Sequence, residues 1–184
     1  MNTWLNQRSM RTKLGILTLV SMIGLLAIAL FLEFQQYDQS LQQRQAQVRN
    51  AVETASGVLA WAQQQEAEGK MPREQAQALA QATIGKMRYG NNEYFWINDL
   101  QGTMLMHPIK PELNGKPGET IRDPNGVLVI MEAANIGRSS AGKGFFSYLW
   151  PKPGKDKPVG KISYAQGFQP WGWVVGSGLY IDDL

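Results

Sequence analysis

The stretch of sequence that decides the fold is residues 93–107, EYFWINDLQGTMLMH. Its first half is aromatic and β-branched at residues 94–97, which suits the pleated, half-buried surface of a sheet. Turn formers follow, and among them Gly102 adopts a positive φ without a steric penalty. The second half returns as a partner strand that Pro108 ends, because proline has no N–H to donate to a ladder. The stretch therefore predicts an antiparallel β-hairpin.

Alternation along the first strand of this hairpin separates two sets of side chains. Tyr94 and Trp96 share one face of the strand, whereas Phe95 and Ile97 share the other. Aromatic side chains with polar tips on one face of a sheet either line a pocket or cap a core. The hairpin sequence alone leaves both interpretations open.

An uncharged apolar segment of 19 residues precedes the hairpin at residues 14–32. As a helix it would measure about 28 Å, close to the hydrocarbon thickness of a bilayer. Basic residues come before it and an acidic residue follows it, so we expect residues 1–13 in the cytoplasm and residues 33–184 outside the membrane. These charged residues are Arg8, Arg11, Lys13 and Glu33.

A cleaved signal peptide is the competing interpretation of the apolar segment. Residues 27–29, Ala-Ile-Ala, resemble a cleavage site, which would release the rest of the chain. The apolar run continues through residues 30–32, however, and this favours an uncleaved membrane anchor. Either interpretation exports the remainder of the chain.

Composition and charge exclude several classes of function. The chain has no cysteine and one histidine, so a disulfide framework and the common zinc sites are excluded. The net charge is +3, but residues 34–184 hold 15 Lys and Arg against 14 Asp and Glu, which argues against a nucleic-acid surface. No nucleophile elbow, P-loop or dinucleotide-binding motif is present. We therefore predict no enzyme activity, no catalytic or metal-binding residues and no cofactor.

Two helices are predicted between the apolar segment and the hairpin. From residue 34 to residue 66, apolar side chains recur every seven residues, a stripe that packs against a sheet or against a second copy of the helix. The stripe comprises Phe34, Leu41, Val48, Ala55 and Ala62. Pro72 suits the first turn of a second helix, and Gly90 suits its C-terminal cap.

A long loop, a short helix and three strands are predicted after the hairpin. Residues 108–126 are rich in proline and glycine, and long loops of this kind often cover a site. The helix is predicted at residues 127–136, and the strands at residues 143–150, 161–168 and 173–180. Consecutive antiparallel strands predict an α+β fold, in which a five-stranded meander has its helices on one side.

Eight side chains combine hydrogen-bond donors with aromatic surface and form the candidate ligand site. An anion taken out of water needs charge-assisted hydrogen bonds, which these side chains supply. A small carboxylate would place its oxygens on Lys, His or Tyr donors and its alkyl end against Trp. The candidates are Arg88, Tyr94, Trp96, His107, Tyr148, Trp150, Lys161 and Tyr164.

Several of these residues also have a purely structural interpretation. A lysine at the start of a strand, such as Lys161, is more often solvated. His107 precedes a proline and is equally suited to satisfying a backbone carbonyl. Tyr148 and Trp150 are suited to packing in the core and at a sheet edge.

The motifs YFWIND, MLMHP, PELNG, DPNG, GFFSYLWPKPG, KISYAQGFQPWGW and VVGSGLYIDDL occur in this order. Together they resemble the single Cache sensor domain of bacterial methyl-accepting chemotaxis proteins, from about residue 35 to the end. The resemblance implies a PAS-like fold, with a long N-terminal helix and a curved antiparallel sheet whose concave side holds the ligand. It also implies a short carboxylate ligand such as acetate, propionate, pyruvate or lactate.

The resemblance assigns ligand contacts to residues within these motifs. They are Tyr94, Trp96, His107, Tyr148, Trp150, Lys161 and Tyr164, with Arg88 added because it lies just before the first strand.

The resemblance further implies a sensor in the periplasm that is anchored in the inner membrane and signals across it. We expect a homodimer through the helix of residues 34–66. Chemoreceptors continue into a second membrane helix and a cytoplasmic signalling region, whereas this sequence stops at Leu184, so cytoplasmic partners would act through a region that it does not contain. The alternatives are the sensor region of a histidine kinase or of a cyclic-dinucleotide enzyme, and a stand-alone exported binding protein.

Overall fold

The computed structural model describes residues 9–183. Within that range, α1 is Met10–Ala67, α2 is Arg73–Lys86 and α3 is Val129–Arg138. The strands are β1 Phe95–Asp99, β2 Met104–Met106, β3 Lys143–Pro151, β4 Pro158–Phe168 and β5 Trp173–Tyr180. The predictions for residues 1–8 and for residue 184 lie outside the described range.

The chain divides into two compact units, residues 1–42 and residues 43–184. The first unit, described from residue 9 onward, belongs to α1 and exposes its apolar side chains, including Leu25 and Phe31. Among the described residues, α1 is the one helix that is long and apolar enough to cross a membrane, judged by length and composition. It contains the apolar segment predicted at residues 14–32.

The second unit contains a five-stranded antiparallel sheet in the order β2-β1-β5-β4-β3. The predicted α+β fold with a PAS-like sheet is confirmed, but the prediction of a simple meander is wrong. β5 inserts beside β1, where Phe95 pairs with Ser177, so that β2 and β3 become the two edges. The long connection between β2 and β3 allows this, because it carries the chain across the sheet rather than to the adjacent position.

Helices pack on both faces of the sheet, so the prediction that they lie on one side is also wrong. α1 and α2 bury their apolar stripes against the face that carries Phe95 and Ile97. α3 packs against the opposite face, which carries Trp96. The buried residues of α1 are Val48, Val52, Ala55, Leu59 and Ala62, in agreement with the predicted seven-residue spacing from Val48 onward.

Two glycines of β5 leave a stretch of bare backbone on the face opposite α1. A Cβ atom built on Gly176 would overlap the indole ring of Trp96. A Cβ atom built on Gly178 would overlap the Ser163 hydroxyl and lie 2.8 Å from Cε of Lys161. The missing side chains therefore let Trp96 and the stem of Lys161 lie flat against the sheet.

The close packing at Gly176 predicts that Gly176→Ala destabilises the fold, since the indole of Trp96 has to move. We expect a loss of about 1–3 kcal/mol in the free energy of unfolding, measured by urea titration with tryptophan fluorescence. Gly57→Ala is the matched control, because Gly57 is exposed in α1 with no atom within 4 Å of a built Cβ. That variant should gain up to about 1 kcal/mol from helix propensity. Equal urea midpoints for the two variants would contradict this account of β5.

Candidate functional site

Five of the eight predicted site residues meet on the sheet face opposite α1 and α2. Tyr94, His107, Tyr148, Trp150 and Lys161 are all buried, and we call them the site cluster. The ring centroids of Tyr94 and His107 lie 5.1 Å apart, those of His107 and Trp150 6.1 Å, and those of Tyr148 and Trp150 5.9 Å. Residues from β3 and β4, and residues next to the start of β1 and the end of β2, thus pack together on this face.

Lys161 is the charged centre of the site cluster. It is 1% exposed, so the interpretation of Lys161 as a solvated strand-initial lysine is wrong. Its Nζ donates a hydrogen bond to the hydroxyl of Tyr94 at 3.0 Å and lies 4.2 Å and 4.7 Å from the ring centroids of Tyr94 and Tyr180. In the described part of the chain no carboxylate oxygen lies within 4.0 Å of this nitrogen.

The surroundings of Lys161 disfavour its charged form. Burial lowers the pKa of Lys161 to about 7, and the carboxylate of Glu93 acts in the opposite direction. At neutral pH the side chain is therefore only partly protonated, with a low dielectric around it and no carboxylate of the described chain within 4.0 Å. An anion that entered the cluster would supply the missing negative charge.

His107 is held as a neutral hydrogen-bond donor. Its Nδ1 accepts hydrogen bonds from the backbone N–H groups of Ile109 at 3.3 Å and Lys110 at 3.0 Å. The ring therefore does have a backbone role, although it accepts from amides instead of donating to a carbonyl. Burial lowers the pKa of His107 to about 3, helped by the positive charges of Lys161 and Lys110. With Nδ1 as acceptor, the proton of the neutral ring is on Nε2, which is available to donate.

Three buried tyrosines neighbour Lys161, and one of them was missed in the sequence. Burial raises the pKa of Tyr94, Tyr148 and Tyr180, so all three stay protonated at neutral pH. Tyr180 pairs with Lys161 across the β4–β5 ladder. The signal for Tyr180 was its spacing, because it lies two residues beyond Gly178 and alternation puts it on the same bare face of β5.

The other three predicted residues do not join the site cluster. Trp96 lies on the same face, but its Nε1 donates to Oδ1 of Asn98 at 3.0 Å, so it forms a wall. Tyr164 lies on the opposite face, with its ring 4.6 Å from that of Phe145, because alternation from Lys161 puts residue 164 on the far side. Arg88 is exposed and donates to backbone carbonyls at the end of α2.

The loop of residues 108–126, which we call the cover loop, closes one side of the site cluster. Ile121 is 4% exposed and packs in the same apolar cluster as Trp150. Nζ of Lys110 lies 5.1 Å from the centroid of the Trp150 ring. A cleft of about 490 Å³ between the cover loop and the β3–β4 hairpin reaches Trp150 from the surface. The cover loop therefore separates the cluster from solvent, as a flap would.

The chemistry of this arrangement suits binding of an anion. The Lys161 amine, a neutral imidazole and the hydroxyl of Tyr94 provide donors, and indole rings provide apolar walls. The hydroxyl of Tyr180 instead donates to the carbonyl of Pro151 at 2.9 Å, and that of Tyr148 shares a hydrogen bond with Ser163 at 3.0 Å. Within residues 9–183, no group of three or more His, Cys, Asp or Glu side chains is placed to hold a metal ion.

Comparison with known proteins relates this arrangement to bacterial sensors. Residues 40–184 match the family model for the single Cache domain 2. The chain is 41% identical over all 184 residues to the methyl-accepting chemotaxis protein McpP of Pseudomonas putida, of which it covers 34%. It is 33% identical over 111 residues, 60% of its length, to the sensor histidine kinase MctS of Rhizobium johnstonii, of which it covers 24%.

A solved structure gives a close match to the fold. That structure concerns the structural basis for carboxylic acid recognition by a Cache chemosensory domain. Its sequence is 46% identical to this chain, and the TM-score of the two folds is 0.74. The match covers 79% of this chain and 98% of that one. The chain thus matches nearly the whole of that solved chain, while it spans about a third or less of the length of the curated relatives.

The depressed pKa of His107 predicts an acid-sensitive contribution to stability. In the unfolded chain His107 takes up a proton below pH 6.5, whereas in the fold it stays neutral until about pH 3. The unfolded state therefore binds more protons between these values, and stability falls by about 1.4 kcal/mol per pH unit as the pH drops through this window. His107→Asn keeps an acceptor near the position of Nδ1 and should remove this dependence. Urea unfolding from pH 4 to pH 7 measures it, and parallel profiles for the variant and the original chain would contradict the assignment.

Proposed function

The chain belongs to the single Cache domain 2 family, and from that premise we propose that it is the extracytoplasmic sensor domain of a chemoreceptor for a small carboxylate. The observation that carries the proposal is the buried ammonium of Lys161 among neutral donors and aromatic walls. The ligand would be of the acetate, propionate, pyruvate or lactate type.

The electrostatics of the site cluster favour a carboxylate over a neutral ligand. An ammonium buried without a counter-ion is costly, and a carboxylate beside Nζ of Lys161 would offset that cost. The hydroxyl of Tyr94, which already lies 3.0 Å from this nitrogen, would be a second donor to the carboxylate. Nε2 of His107 would be a third, since Nδ1 is occupied by backbone amides.

The walls of the site favour a ligand with a short carbon chain. Trp96, Met104 and Ile121 are buried in the same apolar cluster as Trp150, and their side chains supply apolar surface for a short carbon chain. A ligand as small as acetate has four heavy atoms, and at about −1.5 kcal/mol per atom the affinity limit is roughly tens of micromolar. Such a limit suits a sensor of external metabolites.

The comparisons support this proposal without extending it to a complete receptor. Carboxylic acid recognition in a solved Cache domain with 46% identity supports the class of ligand. The similarity to McpP supports a chemotaxis receptor, while the similarity to MctS favours the sensor region of a histidine kinase as the second candidate. We propose binding and signalling, not catalysis, as the role of the domain.

The membrane topology and the dimer are part of the same proposal. We place residues 14–32 in the inner membrane, residues 1–13 in the cytoplasm and residues 33–184 in the periplasm, which the apolar part of α1 supports. A stand-alone exported protein released near Ala29 would instead be revealed by N-terminal sequencing of the exported protein.

Dimerisation through α1 would use the part of its surface that does not face the sheet. Trp61 is 50% exposed on that surface, one helical turn from Gly57. Trp61→Glu should therefore weaken self-association, whereas Lys157→Glu, in the β3–β4 loop, should not. Sedimentation of the chain in detergent, with and without acetate, measures the change. A monomer under both conditions in the original chain would contradict the dimer.

The direct test of the proposed ligand class is a calorimetric titration of the full chain in lipid nanodiscs with acetate, propionate, pyruvate and lactate. At least one should bind, and Lys161→Met should weaken its binding by about 10- to 100-fold, the value of a hydrogen bond to a charged group. The same substitution should raise stability by about 1–4 kcal/mol, because it replaces a buried charge with an apolar side chain. Lys157→Met, at an exposed position, should change neither property. Loss of binding that accompanied unfolding would not support the proposed role of Lys161.

The pH dependence of affinity tests the same residue in the original chain. Because the pKa of Lys161 is about 7, the ammonium loses its proton above pH 7 and the carboxylate loses its partner. Affinity should fall by up to about tenfold per pH unit from pH 7 to pH 9, and should be flat between pH 5.5 and pH 6.5. His107 is neutral over this whole range and adds nothing to the profile. Titration at four pH values measures the slope, and constant affinity from pH 6 to pH 9 would contradict the assignment.

A further inference from the structure

A buried aspartate joins the cover loop to the edge of the sheet. Asp123 is 6% exposed, and both of its carboxylate oxygens accept backbone hydrogen bonds. Oδ1 accepts from the N–H groups of Asn125 at 2.9 Å and Val127 at 2.8 Å, which forms a tight turn at the end of the loop. Oδ2 accepts from the N–H of Leu149 in β3 at 2.9 Å. One side chain thus shapes the loop and fastens it to a strand 26 residues further along the chain.

The fastened strand position lies between two residues of the site cluster. Leu149 separates Tyr148 and Trp150, and its N–H lies on the outer side of an edge strand, where no other strand is available to pair with it. The bond to Asp123 therefore holds the backbone that carries both aromatic side chains. If that bond were absent, this part of the edge would be bound to the sheet only through β4.

The cover loop is attached to the site at both of its ends. At its start, the N–H of Lys110 donates to Nδ1 of His107 at 3.0 Å. Near its end, Ile121 packs beside Trp150 and lies two residues before Asp123. The bond between Lys110 and His107 joins residues only three positions apart, so it can remain when the rest of the loop opens. Between these points the loop is held beside β2, where the N–H of Met104 donates to Lys116, the N–H of Gly115 donates to Met104 and the N–H of Gly118 donates to Gly102. The bond from Leu149 to Asp123 is the one that joins the end of the loop to β3.

We propose that Asp123 is a latch, a positioning residue that keeps the cover loop closed over the site cluster and limits the rate at which a bound carboxylate leaves. The inference rests on the proposed function for the identity of the ligand. It adds a role for the DPNG motif at residues 123–126, whose side chains do not belong to the site cluster. Release of the ligand then requires the Leu149 N–H to exchange the Asp123 carboxylate for water.

The substitution Asp123→Asn isolates the latch from the turn. Its remaining oxygen accepts from Asn125 and Val127 as before, whereas the amide nitrogen in the place of Oδ2 cannot accept from Leu149. Asp99→Asn is the matched control, because Oδ1 of Asp99 also accepts a backbone N–H, that of Thr103 at 2.6 Å, but within its own β-turn. The two variants carry the same chemical change, and only the first one cuts a connection between the loop and the sheet.

Two measurements on the full chain in nanodiscs test the latch. NMR line shapes give the dissociation rates of acetate, propionate, pyruvate and lactate, and hydrogen exchange reports opening of the backbone. In Asp123→Asn, the dissociation rate should rise by about 10- to 100-fold. The association rate should rise as well, because the same bond holds the loop closed before the acid enters. Exchange in residues 119–127 and 145–151 should also become about tenfold faster without ligand. Asp99→Asn should match the original chain in both measurements. A general loss of structure would instead accelerate exchange throughout the sheet.

The outcomes separate the latch from the proposed function. If none of the four acids binds the original chain, the proposed function fails and the latch fails with it. If one binds normally and Asp123→Asn releases it at the original rate, the latch alone is overturned, whatever the exchange data show. If Asp123→Asn does not fold, hydrogen exchange in the original chain tests the latch instead. A saturating concentration of the bound acid should slow exchange of the Leu149 N–H by about tenfold. Exchange at Leu149 that did not respond to the bound acid would overturn the latch.

Discussion

The site depends on one constraint, which is that a lysine ammonium is buried on a sheet without a carboxylate beside it in the described chain. The hydroxyl of Tyr94 and two aromatic faces satisfy Lys161 in part, and the bare backbone at Gly178 gives its stem the space to lie there. A hydroxyl and ring faces do not balance a full charge at low dielectric. The site therefore favours an anion of the right size, which would stabilise the charged form of Lys161, and this preference connects the packing of the domain to its proposed ligand.

Much of the fold could be predicted from local patterns in the sequence. Alternation assigned Tyr94 and Trp96 to one face and Phe95 and Ile97 to the other, because a strand with one face in each core has a strict period of two. The seven-residue stripe located the buried side of α1 from Val48 onward. The strand order could not be predicted in the same way, since it depends on where a long connection leads the chain, and neither hydrophobic period nor turn chemistry records that.

The site was predicted unevenly, and the reasons are physical. Tyr164 shares the KISY motif with Lys161 but lies three residues further along the strand, so its side chain is on the opposite face of the sheet. A motif can therefore belong to the site while one of its residues does not. Arg88 is close to β1 in sequence, yet its guanidinium is used by the end of its own helix. Tyr180 was missed because its place beside Lys161 depends on the register of two strands. Register is a property of pairs of segments, and a single sequence gives only weak information on it.

The two glycines of β5 have a consequence for how such receptors diversify. Gly176 and Gly178 expose only main chain beneath Trp96 and Lys161. Any substitution of either glycine therefore adds atoms in the space that these two side chains occupy. New ligand preferences must therefore arise in the side walls and in the loop above, while the floor is inherited unchanged. A Gly-x-Gly-x-Tyr signature in the final strand should thus locate the bottom of the binding chamber in distant homologues, even where their loops have diverged too far to align.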